Sequence, residues 1–141
     1  IHGDLQFDNI LVQTAVNDKF EKFKLLDWRQ NFGGLIESGD LYYDLSKLYG
    51  GMVLSYQLIK DGKFSFEMSG NNVYYNYMIK NDLVEAREMY EEFIFKSGYD
   101  LRKIKLMTGL IFLNMSPLHH DPFDHFLYFL GKSMISRNIS N

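Results

Sequence analysis

The feature that most constrains the fold of this chain is the placement of four aspartates, each in front of a stretch with helical character. A short acidic side chain before a helix accepts hydrogen bonds from the free N–H groups of the first turn, so it marks a helix start. Asp82 opens a pattern like a capping box, and Asp121 is followed by proline, which favours a first helical turn. The pattern predicts a mainly helical C-terminal two-thirds, with helix starts at Asp40, Asp82, Asp100 and Asp121 and with ends near residues 96 and 115 for the second and third helices.

The helix that starts near Asp40 has the clearest periodicity. Apolar side chains recur three and four residues apart, which gives a helix one buried face. They are Leu41, Leu45, Leu48, Tyr49, Met52 and Leu54. Gly50 and Gly51 interrupt this face, which predicts a kink or a close crossing with another segment.

Two pairs of short segments have strand character. Residues 10–12 form a short β-branched run, residues 23–26 form a second strand-like run, and the polar residues 17–19 between them predict a hairpin turn. Residues 64–68 and 73–77 alternate between apolar and polar side chains around a glycine and two asparagines, which predicts a second hairpin. The predicted fold class is therefore α+β and mainly helical.

Composition limits what the chain does. Its 141 residues suit one domain, residues 1–141, and a hydrophobic share of 46% argues against disorder. The net charge of −3 and the pI of about 5.8 argue against nucleic-acid binding, which needs a basic surface. The absence of cysteine excludes disulfides and cysteine-ligated metals, and it fits a cytoplasmic protein. The apolar runs are far too short to span a bilayer, so no membrane partner is expected.

The pattern that carries chemistry lies in the opening loop (residues 2–9). It contains His2-Gly3-Asp4 and, five residues after the aspartate, Asn9. In kinases an aspartate of this kind orients the substrate hydroxyl, and an asparagine at this distance ligates magnesium. Both groups act on one phosphate, so they must lie on one tight loop. The alternative is an ordinary polar turn before a strand.

Two further acidic motifs follow the opening loop. Asp27 ends an apolar strand-like run and precedes Trp28. It suits a magnesium ligand because this ion prefers oxygen, and the alternative is a loop-capping aspartate at a strand end. Asp44 lies in the first turns of an apolar helix, where burying a carboxylate is costly without hydrogen-bond donors. Backbone N–H groups of the opening loop are suitable donors, so we expect the loop to contact this helix.

Together the motifs resemble those of the aminoglycoside phosphotransferase/choline kinase family. That family has a His-Gly-Asp loop with asparagine five residues after the aspartate, then an Asp-Trp motif, then a Gly-Asp-x-x-x-Asp-Leu segment that opens a helix. The resemblance covers residues 2–48. It implies the C-terminal lobe of a protein-kinase-like fold, in which a short β-hairpin carries the catalytic and metal loops. It also implies transfer of the ATP γ-phosphate, with Mg²⁺ as cofactor, to a small-molecule hydroxyl acceptor.

The resemblance implies a role for each matching residue. Asp4 would be the catalytic base, and Asn9 and Asp27 would be the magnesium ligands. His2 would steady the loop, and Asp44 would anchor it from the helix below.

Two positions of the opening loop depart from the protein-kinase pattern. Gly3 and Gln6 stand where protein kinases have arginine and lysine. These departures favour a small-molecule substrate over a protein substrate. They also argue against control through a phosphorylated activation loop.

The other half of such a kinase is not recognisable in this sequence. It contains no Gly-rich nucleotide loop and no Val-Ala-x-Lys-type strand, and the catalytic pattern begins at the second residue. We therefore expect a fragment of a longer polypeptide, whose N-terminal lobe is missing here and holds the nucleotide. We expect the fragment alone to bind ATP poorly and to be inactive.

Three more residues are candidate substrate contacts. Arg29 would suit an anionic acceptor or a phosphate, and the alternative is a surface arginine that pairs with an acid. His119 and Asp121 lie in the link between two predicted helices. Loops of this lobe line the acceptor pocket in the resembled family, and the alternative is two exposed histidines beside a helix N-cap.

The leading hypothesis is a small-molecule phosphotransferase. The tract from Asp27 to Asp44 is similar to phosphotransferases of bacterial surface-polysaccharide pathways, which implies a sugar or sugar-derived acceptor. One alternative is a non-catalytic, pseudokinase-like or truncated binding module, which the missing nucleotide lobe favours. Another is a metal-dependent phosphohydrolase that uses His2, Asp4, Asp27 and His119, although dinuclear sites usually have more ligands.

Overall fold

The computed structural model of the protein describes residues 1–13 and 22–139. Within them the chain forms two antiparallel hairpins and five α-helices. The strands are β1 (Ile10–Gln13) with β2 (Lys22–Leu25) and β3 (Phe64–Ser69) with β4 (Asn72–Tyr77). The helices are α1 (Leu41–Val53), α2 (Tyr56–Lys60), α3 (Asn81–Lys96), α4 (Leu101–Met115) and α5 (Phe123–Ile139). The architecture is α+β and mainly helical, as the sequence predicts.

The first hairpin forms from the two segments that the sequence predicts. Ile10 pairs with Leu25, and the strands run antiparallel from there. The turn predicted at residues 17–19 lies outside the described residues. Because the strands are antiparallel, the segment that follows Leu25 returns to the opening loop, which ends just before Ile10.

Two of the four predicted aspartate caps are present. The Asp40 carboxylate accepts a hydrogen bond from the Tyr42 N–H at 2.9 Å at the start of α1. The Asp100 carboxylate accepts one from the Lys103 N–H at 3.1 Å at the start of α4. Each side chain satisfies an N–H group that has no partner inside the helix, which fixes where α1 and α4 begin.

The predicted cap at Asp82 is wrong, although the helix itself is present. Helix α3 begins at Asn81, and the extended residue before it is Lys80, which makes no side-chain capping bond. Asp82 therefore lies inside the first turn, where its carboxylate accepts from the adjacent Leu83 N–H at 2.8 Å. A negative charge in a first turn still interacts favourably with the helix dipole.

The start of α5 also differs from the prediction. The helix begins at Phe123 and not at Pro122, and the Asp121–Pro122 peptide bond is cis. The carboxylate of Asp121 contacts the His125 ring at 3.0 Å, so it does not cap the backbone as predicted. The N–H of Phe123 instead donates to the His120 carbonyl at 3.0 Å, which closes the first turn with backbone alone.

The glycine pair of α1 marks a close contact and does not break the helix. Helix α1 continues through Gly50 and Gly51 to Val53. A Cβ atom at Gly51 would lie 2.8 Å from the Phe7 ring, so only glycine leaves room for this side chain of the opening loop. Gly51 therefore lets the loop pack directly on α1, whereas Gly50 faces the Phe112 ring of α4.

The hydrophobic core joins α1, α3, α4 and α5, with the second hairpin against one side. Phe126 of α5 is fully buried and contacts the rings of Phe64, Tyr75 and Tyr77 from β3 and β4. The buried core residues are Tyr49, Met52, Val53, Leu54, Ile59, Tyr90, Ile94, Ile104, Phe112, Phe126, Leu127 and Leu130. Four of these twelve residues are aromatic, and their large rings supply much of the buried apolar area.

Buried hydroxyl groups fix α1 on α4. The Ser46 hydroxyl donates to the Ile104 carbonyl at 3.2 Å, and the Thr108 hydroxyl donates to the Ser46 carbonyl at 3.1 Å. Both side chains are fully buried, so these bonds hold the face of α1 that carries the opening loop at a defined position. Among the described helices, none is both long and apolar enough to cross a membrane.

Candidate active site

The opening loop is bound to α1 by one buried carboxylate. Asp44 is only 3% exposed, and its carboxylate accepts two backbone hydrogen bonds from the loop. The His2 N–H donates to Oδ2 at 2.5 Å, and the Gly3 N–H donates to Oδ1 at 2.7 Å. The contact between loop and helix expected for Asp44 is therefore present. Two N–H donors offset the cost of burying this charge.

His2 ties the opening loop to the segment after β2. The backbone N–H of Asp4 donates to His2 Nδ1 at 3.2 Å, and His2 Nε2 lies 2.8 Å from the Leu26 carbonyl. A carbonyl can only accept, so Nε2 carries the hydrogen and Nδ1 is the acceptor. The ring is buried and lies 4.8 Å from the ring of Trp28. These contacts fit the steadying role expected for His2.

Three donors surround the carboxylate of Asp4. The Lys47 ammonium lies 2.8 Å from Oδ1. The side-chain amides of Gln6 and Asn9 donate to Oδ2 at 3.3 Å and 3.2 Å. Lys47 was not among the residues predicted from sequence. The only sequence signal for it is its place three residues after Asp44, which puts the two side chains on one face of α1.

The orientation of the Asn9 side chain follows from its partners. Its Nδ2 atom donates to the Asp4 backbone carbonyl at 2.9 Å. Because that carbonyl can only accept, the amide nitrogen must face it and Oδ1 must face away. Within the described residues, this oxygen makes no hydrogen bond, so it is the atom of Asn9 that can bind a cation.

Asp27 has an uncommon backbone conformation at the end of β2. Its φ angle is +56°, and it is the one non-glycine residue with positive φ among those described. The preceding residue is fixed, because the Leu26 N–H donates to the Asn9 carbonyl at 2.9 Å. The exposed Asp27 carboxylate makes no hydrogen bond or ion pair within residues 1–13 and 22–139, so none joins it to Asp4 or Asn9. Positive φ is uncommon outside glycine, although aspartate adopts it more readily than most residues, and strained backbone of this kind clusters at functional sites.

Arg29 lies beside the opening loop and on an aromatic ring. Its backbone N–H donates to the His2 carbonyl at 3.0 Å, and a Cβ at Gly3 would lie 2.6 Å from the Arg29 Cβ. The guanidinium donates to the Tyr43 hydroxyl at 3.4 Å and lies 5.3 Å from the centre of that ring. No carboxylate pairs with it within the described part of the chain. The alternative of a surface ion pair is therefore not what the structure contains.

A cavity of about 190 Å³ opens beside the same loop. Its wall includes Gln6 and Lys47, two of the three residues that contact the Asp4 carboxylate, together with Asp8. The rest of the wall is mainly apolar and includes side chains of α4. Burial raises the pKa of Tyr56, which also lines the cavity, to about 12. Its hydroxyl is buried and has no hydrogen-bond partner among the described residues.

The structure does not bring His119 or Asp121 into contact with the opening loop. The centre of the His119 ring lies 6.3 Å from that of the Tyr56 ring, which lines the cavity. Burial, followed by the charge of neighbouring His120, lowers the pKa of His119. The alternative interpretation expected two exposed histidines, and the structure has His120 exposed but His119 half-buried.

Asp121 belongs to a different group of side chains. Ligand atoms of Asp121, Asp124 and His125 lie within 4.8 Å of one another near the start of α5. The group lies largely at the surface, and exposed acidic groups of this kind are common without a metal. His125 was not singled out from the sequence, because its partners come together only through the turn that precedes α5.

Comparison with known proteins gives no match, whether with family models, with curated proteins or with solved structures. The motif resemblance and the geometry around Asp4 are therefore what support a function.

Proposed function

We propose that the chain is the catalytic lobe of an ATP-dependent phosphotransferase that acts on a hydroxyl group of a small molecule. The observation that carries this proposal is the hydrogen-bonded unit around Asp4. Among the described residues, Asp44 holds the loop backbone, three donors hold the Asp4 carboxylate, and the Asn9 side-chain oxygen has no hydrogen-bond partner. An ordinary polar turn does not require the buried Asp44 carboxylate to bind its backbone, or the Lys47 ion pair to hold its side chain.

In the proposed reaction, Asp4 receives the acceptor hydroxyl. The hydroxyl oxygen forms a bond to the γ-phosphorus of ATP, and the bond from that phosphorus to the β–γ bridging oxygen breaks, which releases ADP. The hydroxyl proton passes to the Asp4 carboxylate and then to solvent. Most of the rate comes from positioning and charge stabilisation, so a rigid carboxylate is what this chemistry requires.

The donor set fits Mg²⁺. Asn9 Oδ1 and the Asp27 carboxylate offer oxygen atoms, which this ion prefers, and neither has a competing partner within the described residues. Mg²⁺ held by these residues would neutralise charge on the phosphates. The Leu26–Asn9 backbone bond supports this assignment, because it fixes the residue next to Asp27 against Asn9.

The resemblance extends the proposal to the rest of the reaction. We propose that the adenine is held by a further N-terminal lobe of the same polypeptide and that the protein acts in the cytoplasm, where ATP is made. We also propose a sugar or sugar-derived acceptor, from the similarity of the tract between Asp27 and Asp44 to enzymes of surface-polysaccharide pathways. Two residues of the cavity wall, Gln6 and Lys47, contact the Asp4 carboxylate, so this cavity is where we propose that the acceptor binds.

The proposal is tested with the full-length product of the gene that encodes these residues. The assay follows transfer of labelled phosphate from ATP, with Mg²⁺, to a panel of sugars and other small hydroxyl compounds. We expect Asp4→Asn to lower turnover by about 10²–10⁴-fold, because the amide cannot accept the hydroxyl proton. Asp61→Asn, the same change at the exposed end of α2, should leave turnover unaltered, and circular dichroism should show both variants folded.

Other results would point to other functions. Full activity of Asp4→Asn would refute the assignment of the base. Release of phosphate from phosphomonoesters without ATP would favour the phosphohydrolase. Failure of the full-length wild type to transfer phosphate to any acceptor would favour a non-catalytic binding module.

A further inference from the structure

We infer that Lys47 is the positioning residue of the candidate site and that its ammonium fixes the direction of the Asp4 carboxylate. This inference rests on the proposed phosphotransferase function. The Lys47 side chain is 11% exposed and that of Asp4 22%. The other ion pairs of the described residues are more exposed. The next least exposed pair is Lys105 with Glu91, whose side chains are 27% and 31% exposed. The Lys47–Asp4 pair is shielded from water. Exposed ion pairs, in contrast, contribute little to holding their side chains in one orientation.

The count of hydrogen-bond sites on Asp4 shows what Lys47 does there. A carboxylate has about four acceptor positions, two on each oxygen. Gln6 and Asn9 occupy both positions on Oδ2, and Lys47 occupies one on Oδ1. Among the described residues, no donor occupies the remaining position, which is on Oδ1 beside the ammonium. An acceptor hydroxyl would bind the oxygen that Lys47 holds.

The backbone around Lys47 is fixed well enough for this task. Its neighbour Ser46 is fully buried and bound to α4 through the Ile104 carbonyl. Three residues earlier on the same helix, Asp44 holds the backbone of the opening loop. One face of α1 therefore holds both the loop backbone and the side chain of Asp4.

Lys47 also forms part of the cavity wall. Removing its ammonium would leave Asp4 with donors on Oδ2 alone, so the carboxylate could turn about them. The hydroxyl would then meet a misdirected oxygen, although the groups assigned to Mg²⁺ would be intact. The expected defect is in the chemical step and not in nucleotide binding.

The first test needs no activity. The side-chain ¹³Cγ signal of Asp4 is recorded by NMR in the wild type, in Lys47→Met and in Lys105→Met. Lys105→Met is the matched control. It removes an ammonium of α4 that pairs with Glu91 of α3, and it leaves the opening loop unchanged. We expect the Asp4 signal to move only in Lys47→Met. An unchanged signal in that variant would overturn the inference.

The second test is kinetic and uses the full-length phosphotransferase. We expect Lys47→Met to lower kcat by about 100-fold, the effect of a misplaced group, while KM for ATP changes by less than about twofold. Lys47→Arg should recover part of kcat because it restores the charge, which a loss of folding would not allow. Normal kcat in Lys47→Met would overturn the inference. If the wild type transfers no phosphate, the proposed function fails, and the NMR result alone decides whether Lys47 holds Asp4.

Discussion

Asp44 is the residue on which the geometry of the opening loop depends most. A buried carboxylate is tolerated only with strong donors, and the backbone N–H groups of His2 and Gly3 supply them. This contact was predictable from sequence, because an acid in an apolar helix needs partners and the opening loop offered free N–H groups. The Lys47–Asp4 pair was not predictable, because it depends on how the loop lies on α1.

Asp44→Asn should destabilise the protein. The amide has one acceptor oxygen and places an NH₂ group against a backbone N–H, so one donor loses its partner. We expect the free energy of unfolding to fall by about 1–3 kcal/mol, the cost of an unsatisfied buried group. Urea denaturation measures this change.

Asp61→Asn is the matched control for that change. Asp61 is exposed and accepts from the Gln57 side chain, which an asparagine oxygen can also do. Its stability should remain within about 0.5 kcal/mol of the wild type. Equal stability of the Asp44 and Asp61 variants would show that the two loop bonds do not hold the opening loop.

The helices α4 and α5 cross at two glycines with their backbones in direct contact. A Cβ at Gly131 would lie 2.7 Å from the Gly109 carbonyl oxygen. This crossing was not predicted, because glycine in a helix does not indicate which helix approaches it. The helices themselves were predictable from local signals such as the Asp40 and Asp100 caps. The caps predicted at Asp82 and Asp121 are wrong because backbone hydrogen bonds, and not these side chains, close the first turns of α3 and α5.

Gly131→Ala should therefore destabilise the crossing, whereas Gly50→Ala should not. Both changes add a methyl group inside a helix, and both gain up to about 1 kcal/mol of helix propensity. At Gly131 the methyl meets backbone, so we expect a net loss of about 1–3 kcal/mol in thermal or urea unfolding. At Gly50 the nearest atom is 3.4 Å away in the Phe112 ring, which is ordinary contact. Equal stability of the two variants would contradict a tight crossing.

Across the whole molecule, the candidate site is assembled from three segments that are distant in sequence. The opening loop, the end of β2 and the start of α1 meet through the Leu26–Asn9, Arg29–His2 and Asp44 hydrogen bonds. The motif order predicted that these segments belong together. It did not indicate that the Asp27 carboxylate would be exposed, because its direction depends on a left-handed backbone that no local pattern marks.

The predicted metal residues are also separate from the group of carboxylates near the start of α5. Asn9 lies in the opening loop and Asp27 follows the residue that is bonded to it, whereas Asp121, Asp124 and His125 form a group at the surface. The two locations can be told apart by a paramagnetic ion. Mn²⁺ accepts the same oxygen ligands as Mg²⁺ and broadens the NMR signals of nearby amides.

The measurement that tests the central claim most directly is the pattern of this broadening in the presence of ATP. We predict that substoichiometric Mn²⁺ broadens the backbone amide signals of Asn9 and Asp27 most. The Asn9→Ala/Asp27→Asn double variant should abolish the effect. Broadening strongest at Asp124 and His125, with unchanged signals at Asn9 and Asp27, would contradict a phosphoryl-transfer site at the opening loop.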